Sequence, residues 1–457
     1  MWSRSMTRLQ FCGNAVFYCA VLLAAFSTAC SSGGSGSPPP PSTTFCVNPG
    51  GTGGCYATIQ SAVNAAAAND TINVAAGTYT EDVTIGKALS LIGAGSGKSF
   101  IDATNLANGI LLDGLNNPGL QNVTVSGFTV ENAMYEGILL LNTTNVQILN
   151  NHIVNNDRVV VSTSGASCNG QPDYETDESY DCGGGLHLLG AVSSYVSGNT
   201  VSGNADGIVI TDETRAAEQN TIINNSVTAN PLVCGIVLAS HPPVGSQPPD
   251  YAPHHGVNSN TISGNTSTNN GAQMGGAGIG LFSDGNGPGV VTNNTVTGNT
   301  LTGNSLPGVA IHSHKGPANG HPADNMSGNS ITSNTISGNG ADTADSQTPG
   351  TAGINISSGD GGSPITGITV KQNTINGEDV DIGVNTGVEV DIHQNNLLGG
   401  NIGVANDCTL DKASCTGVDI NATENYWGCA TGPGTSGCSN TSGTGITSTP
   451  FLTSTAN

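Results

Sequence analysis

Nine histidines and nine lysines plus arginines serve 457 residues, yet the stretch GVAIHSHKG (308–316) gathers two of the histidines and a lysine. Imidazoles exchange protons near neutral pH, and an ammonium beside them can hold an anion. The segment has relatives along the chain. Short strands of the form Gly-[Ile/Leu/Val]-x-[Ile/Leu/Val] begin at Gly109, Gly137, Gly185, Gly207, Gly235, Gly278, Gly308 and Gly353, with weaker copies at Gly383 and Gly403. Counted six residues past the glycine, these copies carry Thr143, Ala191, Glu213, His241, Asp284, His314 and Gly359. Four successive copies thus bear titratable groups where their neighbours bear none.

Side chains alternate across a strand. The aliphatic residues one and three past the glycine therefore face a core, and positions two, four and six face out. Position two reads Val209, Val237, Gly280 and Ala310, a low apolar floor; position four reads Thr211, Ala239, Phe282 and His312. The expectation is an open groove with Phe282 as a platform beside a row of Glu213, His241, Asp284 and His314. Glu213 and Asp284, two copies apart, would stand about 9–10 Å from each other, near the spacing of carboxyl pairs that invert a glycosidic bond. His241 between them would tune both. Elimination from a uronate is the other chemistry: His314 or Lys315 would be the base and Arg215 the group that neutralises the carboxylate. Asp212, Arg215, Phe282 and His312 are the substrate-binding candidates. His187, outward on an apolar strand, reads as structural, and His152 and His393 as surface residues.

The elements that must position this row form a repeat. Between the glycine strands lie Asn-rich segments such as NTVSGN (199–204), NTISGN (260–265), NTVTGN (294–299) and NTISGN (334–339). The shortest intervals, Gly185 to Gly207 and Gly383 to Gly403, are 22 and 20 residues. Strands at this pitch, joined by Asn and Gly turns, spell an all-β solenoid, a single-stranded parallel β-helix. Asn tolerates left-handed backbone angles, and stacked Asn side chains can bond along the turns. Long insertions leave near the same strand end, at 240–256 and 312–325, and a third is the acidic loop CNGQPDYETDESYDC (168–182). Long loops on a rigid scaffold are where binding resides. The acidic loop is also a candidate calcium site through its carboxylates, and the His-x-His pair a candidate site for a transition metal; no metal is assigned from the sequence.

The repeat resembles the right-handed parallel β-helix superfamily that includes pectate lyases. ATIQSAVNAAAANDTINVAAGTYTEDVTI (57–85) looks like that superfamily's entry, with a short N-terminal capping helix over 57–68. NYWGCATGP (425–433) looks like a C-terminal element of bacterial β-helix repeat proteins. The resemblance covers roughly residues 55–450 and implies the fold, with a C-terminal cap at about 408–457. It implies a polysaccharide partner without naming the activity.

Residues 1–29 read as a signal peptide: Arg4 and Arg8, an apolar run, then Ser27-Thr28-Ala29 before Cys30. Cys30 suits lipidation, which would make an anchored lipoprotein of the outer membrane or cell surface. Ordinary cleavage would release a secreted protein instead. Residues 30–45 form a Gly/Ser/Pro-rich linker, and 46–457 the β-helix domain. Without the leader the chain keeps 9 − 2 = 7 basic residues against 32 acidic ones, a formal charge of −25. That repels nucleic acid and anionic membranes, so a lipid anchor would be its only membrane contact. The remaining cysteines pair locally, Cys46 with Cys55, Cys168 with Cys182, Cys408 with Cys415 and Cys429 with Cys438, and Cys234 is left as a core thiol. The reading is an exported, monomeric β-helix that cleaves a polysaccharide. The alternatives are a glycan-binding or structural surface protein and a periplasmic metal-delivery factor.

Overall fold

The computed structural model describes residues 42–159, 172, 174, 183–243, 254–283, 288–314, 323–343, 348–358, 362–399, 401–406 and 419–456. Asp284, Lys315, Cys30, the pairs Cys168/Cys182 and Cys408/Cys415, and nearly all of the acidic loop lie outside them. The described chain winds as a parallel β-helix. Three long sheets of 14, 12 and 11 strands run along it, and a short three-stranded sheet flanks them. One coil shows the scheme: Leu186–Leu189 lies in the 12-stranded sheet, Tyr195–Ser197 in the 14-stranded sheet and Thr200–Ser202 in the 11-stranded sheet, before Ile208–Thr211 opens the next coil.

Alternation carries the core. Ile208, Ile210, Ile236, Leu238, Ile279, Leu281, Val309 and Ile311 are all fully buried and stack in register from coil to coil. The helix Ile59–Ala65 closes the N-terminal end with Ile59, Ala62 and Val63 turned inward. Its first free N–H groups, those of Ile59 and Gln60, donate to the Glu81 carboxylate at 2.8 and 2.9 Å. Trp427, fully buried, fills the opposite end against Gly403. The first strand, Thr44–Val47, starts two residues inside the expected linker. Cys46–Cys55 and Cys429–Cys438 are bonded as expected, and Cys234 is buried.

The repeat glycine answers to close approach. At Gly235 an added Cβ would stand 2.0 Å from Ser267 Oγ and 2.8 Å from the Gly278 carbonyl oxygen, so the next coil fits only against hydrogen. Gly403 keeps this register but Gly383 does not. Ile354 pairs with Ile382, which puts Asp381 in the glycine column and makes the last interval 403 − 381 = 22 residues rather than 20, equal to that from Gly185 to Gly207. A Gly-Val pair at 383–384 mimics the motif two residues out of phase.

Every corner of the coil turns a backbone N–H toward the core, where it needs an acceptor. Asparagine ladders supply it. Asn151, Asn199, Asn225, Asn265, Asn299, Asn334, Asn373, Asn395 and Asn425 form one ladder, in which each Oδ1 accepts both the backbone N–H and the side-chain NH2 of the Asn one coil earlier. For Asn199 onto Asn225 both distances are 2.9 Å. A second ladder runs from Asn156 to Asn339 and ends on Glu378, and a third from Asn220 to Asn329. The ladder asparagines are not themselves left-handed. The residue before each is: Gly198, Asn224, Gly264 and Gly298 have φ of 68, 55, 62 and 66°.

Replacing Asn265 by Ala strips the acceptor from two buried donors of Asn225. We expect the unfolding free energy to fall by about 2–4 kcal/mol. Thr266→Ala, one residue on and exposed, should change it by less than about 0.5 kcal/mol. Chemical denaturation of both variants checks this.

Candidate active site

The titratable row lies where the 12-stranded sheet gives way to the next corner. Strands Ile208–Thr211, Ile236–Ser240, Ile279–Ser283 and Val309–His312 are neighbours there. Just past them the fifth residue after each glycine turns inward again, as alternation requires, and this column is polar: Asp212, Ser240, Ser283, Ser313 and Ser358. All are buried. Asp212 Oδ1 accepts the backbone N–H of His241 at 2.8 Å, while Oδ2 accepts the Ser240 hydroxyl at 3.1 Å and the Gly256 N–H. Asp324 does the same work further along, taking the Ser283 and Ser313 hydroxyls at 2.5 and 2.8 Å and the Gly289 N–H at 2.7 Å.

Glu213 and His241 meet just outside this column, with His241 Nδ1 2.8 Å from Glu213 Oε1. The open row expected from the sequence is not what these two residues form, since they are only 2% and 1% exposed. The floor is covered as well. Val209, Val237, Ala239 and Ala310 join Cys234 and Ala277 in a second apolar cluster outside the sheet, with Phe282 packed against it. The Phe282 ring lies over Gly280, where an added Cβ would come within 2.1 Å of it. His312 is buried and its ring centroid sits 4.2 Å from that of His314. His314 Nδ1 is held against the Ser283 carbonyl, so Nδ1 carries a proton and donates. The chain leaves this corner for residues 244–253, 284–287 and 315–322, which lie outside the described part.

Arg215 departs from its expected place. Its guanidinium turns back along the coils and donates to the carbonyls of Gly190 and Thr143 and to Thr144 Oγ1. It is a clamp on earlier coils. His187 is buried, with Nε2 2.8 Å from Thr211 Oγ1 and Nδ1 3.6 Å from Glu136 Oε1. His152 and His393 are half-buried on outward faces.

Sequence reading missed His254, whose Nδ1 lies 2.9 Å from Ser240 Oγ. It belongs to an insertion, and no repeat position flags it; only its place in a His-His pair singles it out. It also missed Asp157 and Asp206, which are buried at the other end of the sheet. Among the described residues, no group of three His, Cys, Asp or Glu side chains is arranged to hold a metal ion. A cavity of about 430 Å³ at the C-terminal end, bordered by residues 434–440, contains no titratable side chain and is remote from this chemistry.

Burial divides the site electrostatically. It pushes the Asp212 carboxyl up to about 7, against the pull of the Gly256 N–H and with help from the Glu213 charge. Burial acts on Glu213 in the same sense, but the His241 charge and hydrogen bond, with His187 and Thr211, hold it below the usual carboxylate range. His254 falls to about 4 through burial and the neighbouring His241. Two adjacent carboxyls thus separate into a proton carrier and an anion.

Residues 103–247 match the family model described as a right handed beta helix region. No curated protein matches the chain in sequence. Among solved structures, the catalytic domain of a GH87 alpha-1,3-glucanase in complex with tetrasaccharides is 15% identical, with a TM-score of 0.54 over 91% of this chain and 69% of that one. The lidless DFA-IIIase of Arthrobacter chlorophenolicus A6 in complex with GF2 is 12% identical, with a TM-score of 0.51 over 89% and 99%. A mannuronan C-5 epimerase A-module of Azotobacter vinelandii is 16% identical, with a TM-score of 0.48 over 86% and 94%. At these identities the likeness is one of fold.

The shifts predict opposing pH dependences. Between about pH 4 and 7 unfolded Asp212 is ionised while the folded carboxyl keeps its proton, so this group makes stability fall as pH rises. Between about pH 4 and 6.5 unfolded His254 is charged while the folded ring is neutral, so this group makes stability rise with pH. Relative to the wild type, Asp212→Asn should steepen the rise and His254→Gln the fall. Urea titrations at stepped pH measure both.

Proposed function

We propose that this parallel β-helix, of which residues 103–247 match a right handed beta helix region, is an exported carbohydrate-active protein that hydrolyses a neutral polysaccharide at the Glu213–His241 corner. One observation carries the reading. Asp212 and Glu213 are adjacent carboxyls whose affinities for protons are driven apart, and His241 bonds to both. Such separation is how a single site supplies an acid and a base at one pH. Glu213, held as the anion, takes a proton from the attacking water with His241 as its partner. Asp212 retains the proton that the leaving oxygen requires. Asp284, expected two coils from Glu213, is the candidate second carboxyl.

Elimination fits less well. Arg215 is committed to carbonyl oxygens and is no longer placed to neutralise a uronate carboxylate. His314 and Lys315 remain the residues on which elimination would depend. The structural likeness to enzymes crystallised with tetrasaccharides and with GF2 supports a glycan partner. Two disulfides support export to an oxidising compartment, with Cys30 the proposed point of attachment if the protein is anchored.

A second reading, a glycan-binding protein without catalysis, is favoured by the near-complete burial of Glu213 and His241. A panel of polysaccharides, assayed for new reducing ends and for unsaturated products, separates the three. For a hydrolase, Glu213→Gln should lower turnover about 10²–10⁴-fold with the fold intact, and no unsaturated product should form. For a binding protein, Glu213→Gln should leave affinity unchanged and Phe282→Ala should weaken it. Unsaturated product lost on His314→Ala would overturn the hydrolytic reading.

A further inference from the structure

The Ser240 hydroxyl has three partners, and they restrict where its proton can be. The Val290 N–H donates to Ser240 Oγ at 2.9 Å; Asp212 Oδ2 stands at 3.1 Å and His254 Nδ1 at 2.9 Å. A hydroxyl has one proton to give and two lone pairs to receive. With one lone pair taken by Val290, the hydroxyl donates to one of the other two groups and receives from the other. Two arrangements satisfy all three contacts. In the first, Ser240 donates to ionised Asp212, and His254 donates from Nδ1. In the second, protonated Asp212 donates to Ser240, and Ser240 donates to His254 Nδ1, which leaves the imidazole proton on Nε2.

We infer that Asp212, Ser240 and His254 form a proton relay, with His254 as the acid that serves the Glu213–His241 pair. The inference rests on the hydrolytic reading above and deepens it. In the second arrangement His254 Nε2 gives its proton to the leaving oxygen of the glycan. His254 Nδ1 takes the Ser240 hydroxyl proton, and Ser240 takes the proton of Asp212. The three bonds broken and the three formed leave Asp212 as the anion and the relay in its first arrangement. The proton that water gives to Glu213 and His241 restores the balance, so one water is consumed for each bond cleaved.

The surroundings fit this direction of transfer. Asp212 retains its proton up to about pH 7, and His254 stays neutral down to about pH 4, so a neutral imidazole faces a protonated carboxyl in between. Among the described residues, the titratable groups acting on the relay include Glu213, His241 and His255, with His187 acting on Glu213 from the neighbouring strand. All three relay residues are buried, and Asp212 is fixed by the Gly256 and His241 backbone N–H groups as well. The sequence separates them widely, and the winding of one coil brings them together.

The test reads the tautomer directly and needs no substrate. Long-range 1H–15N spectra of the full chain with labelled histidine, assigned by loss of signals in His254→Gln, report which ring nitrogen bears the proton. In the wild type the His254 proton should move from Nε2 to Nδ1 as pH rises through about 7, the value set by Asp212. Ser240→Ala and Asp212→Asn should each abolish the exchange. A wild-type His254 that keeps one tautomer from about pH 5 to 9 overturns the relay, as does an exchange that survives Ser240→Ala. If the exchange occurs but no glycan is cleaved, the relay stands and the hydrolytic reading falls.

Discussion

A coil that turns three times around a narrow core must bury backbone N–H groups at its corners, and each buried donor without an acceptor costs roughly 1–3 kcal/mol. The rest of the structure follows from how that requirement is met. Asparagine suits it because one side chain accepts two hydrogen bonds and still donates. Asn225 accepts twice from Asn199 and donates to the Val196 carbonyl and to Asn265. The link repeats without limit as long as every coil presents an Asn at the same corner. Glu378 marks an end: it accepts twice from Asn339, and an ionised carboxyl has no proton to pass on. Burial raises its affinity for a proton accordingly.

The site is a variation on the same device. At the corner after the 12-stranded sheet the inward column holds Asp212 and serines in place of Asn. Serine and aspartate satisfy the corner N–H groups of Gly256, His241, Gly289 and Val290. Unlike Asn, they can relocate protons while doing so. The scaffold hydrogen bonds and the chemistry are therefore made by the same atoms, which ties the position of Glu213 and His241 to the stacking of the coils beneath them.

The fold was legible because it is periodic. Glycine, alternate aliphatics and paired asparagines recur at the pitch of a parallel β-helix coil, and the predicted core residues from Ile208 to Ile311 are buried without exception. Legibility stopped at the corner. Alternation sends Asp212 inward, yet the sequence offered it as a substrate-binding candidate, and the serines that complete the fifth column were passed over. Glu213 and His241 have the outward parity expected of them and are nonetheless buried, because exposure depends on long-range packing that no local pattern encodes. His254 reaches Ser240 from an insertion, and Gly383 copies the repeat in the wrong phase. Both belong to long-range register, which a local motif does not specify.

Charge narrows the ligand further than fold does. Acidic residues outnumber basic ones 32 to 9, and two of the basic side chains are committed to backbone carbonyls. Arg215 is bound to carbonyl oxygens of two earlier coils, and Lys87 donates to the Ala66 carbonyl at the end of the capping helix at 2.8 Å. An approaching polyanion would meet a field of its own sign. A neutral glycan carries no such penalty. Its hydroxyls would offer donors and acceptors to a corner rich in Ser, Asp and His, and in the proposed hydrolysis the proton needed at its leaving oxygen would come from the carboxyl that burial keeps protonated. Substrate charge and proton supply thus lead to the same class of ligand by separate routes.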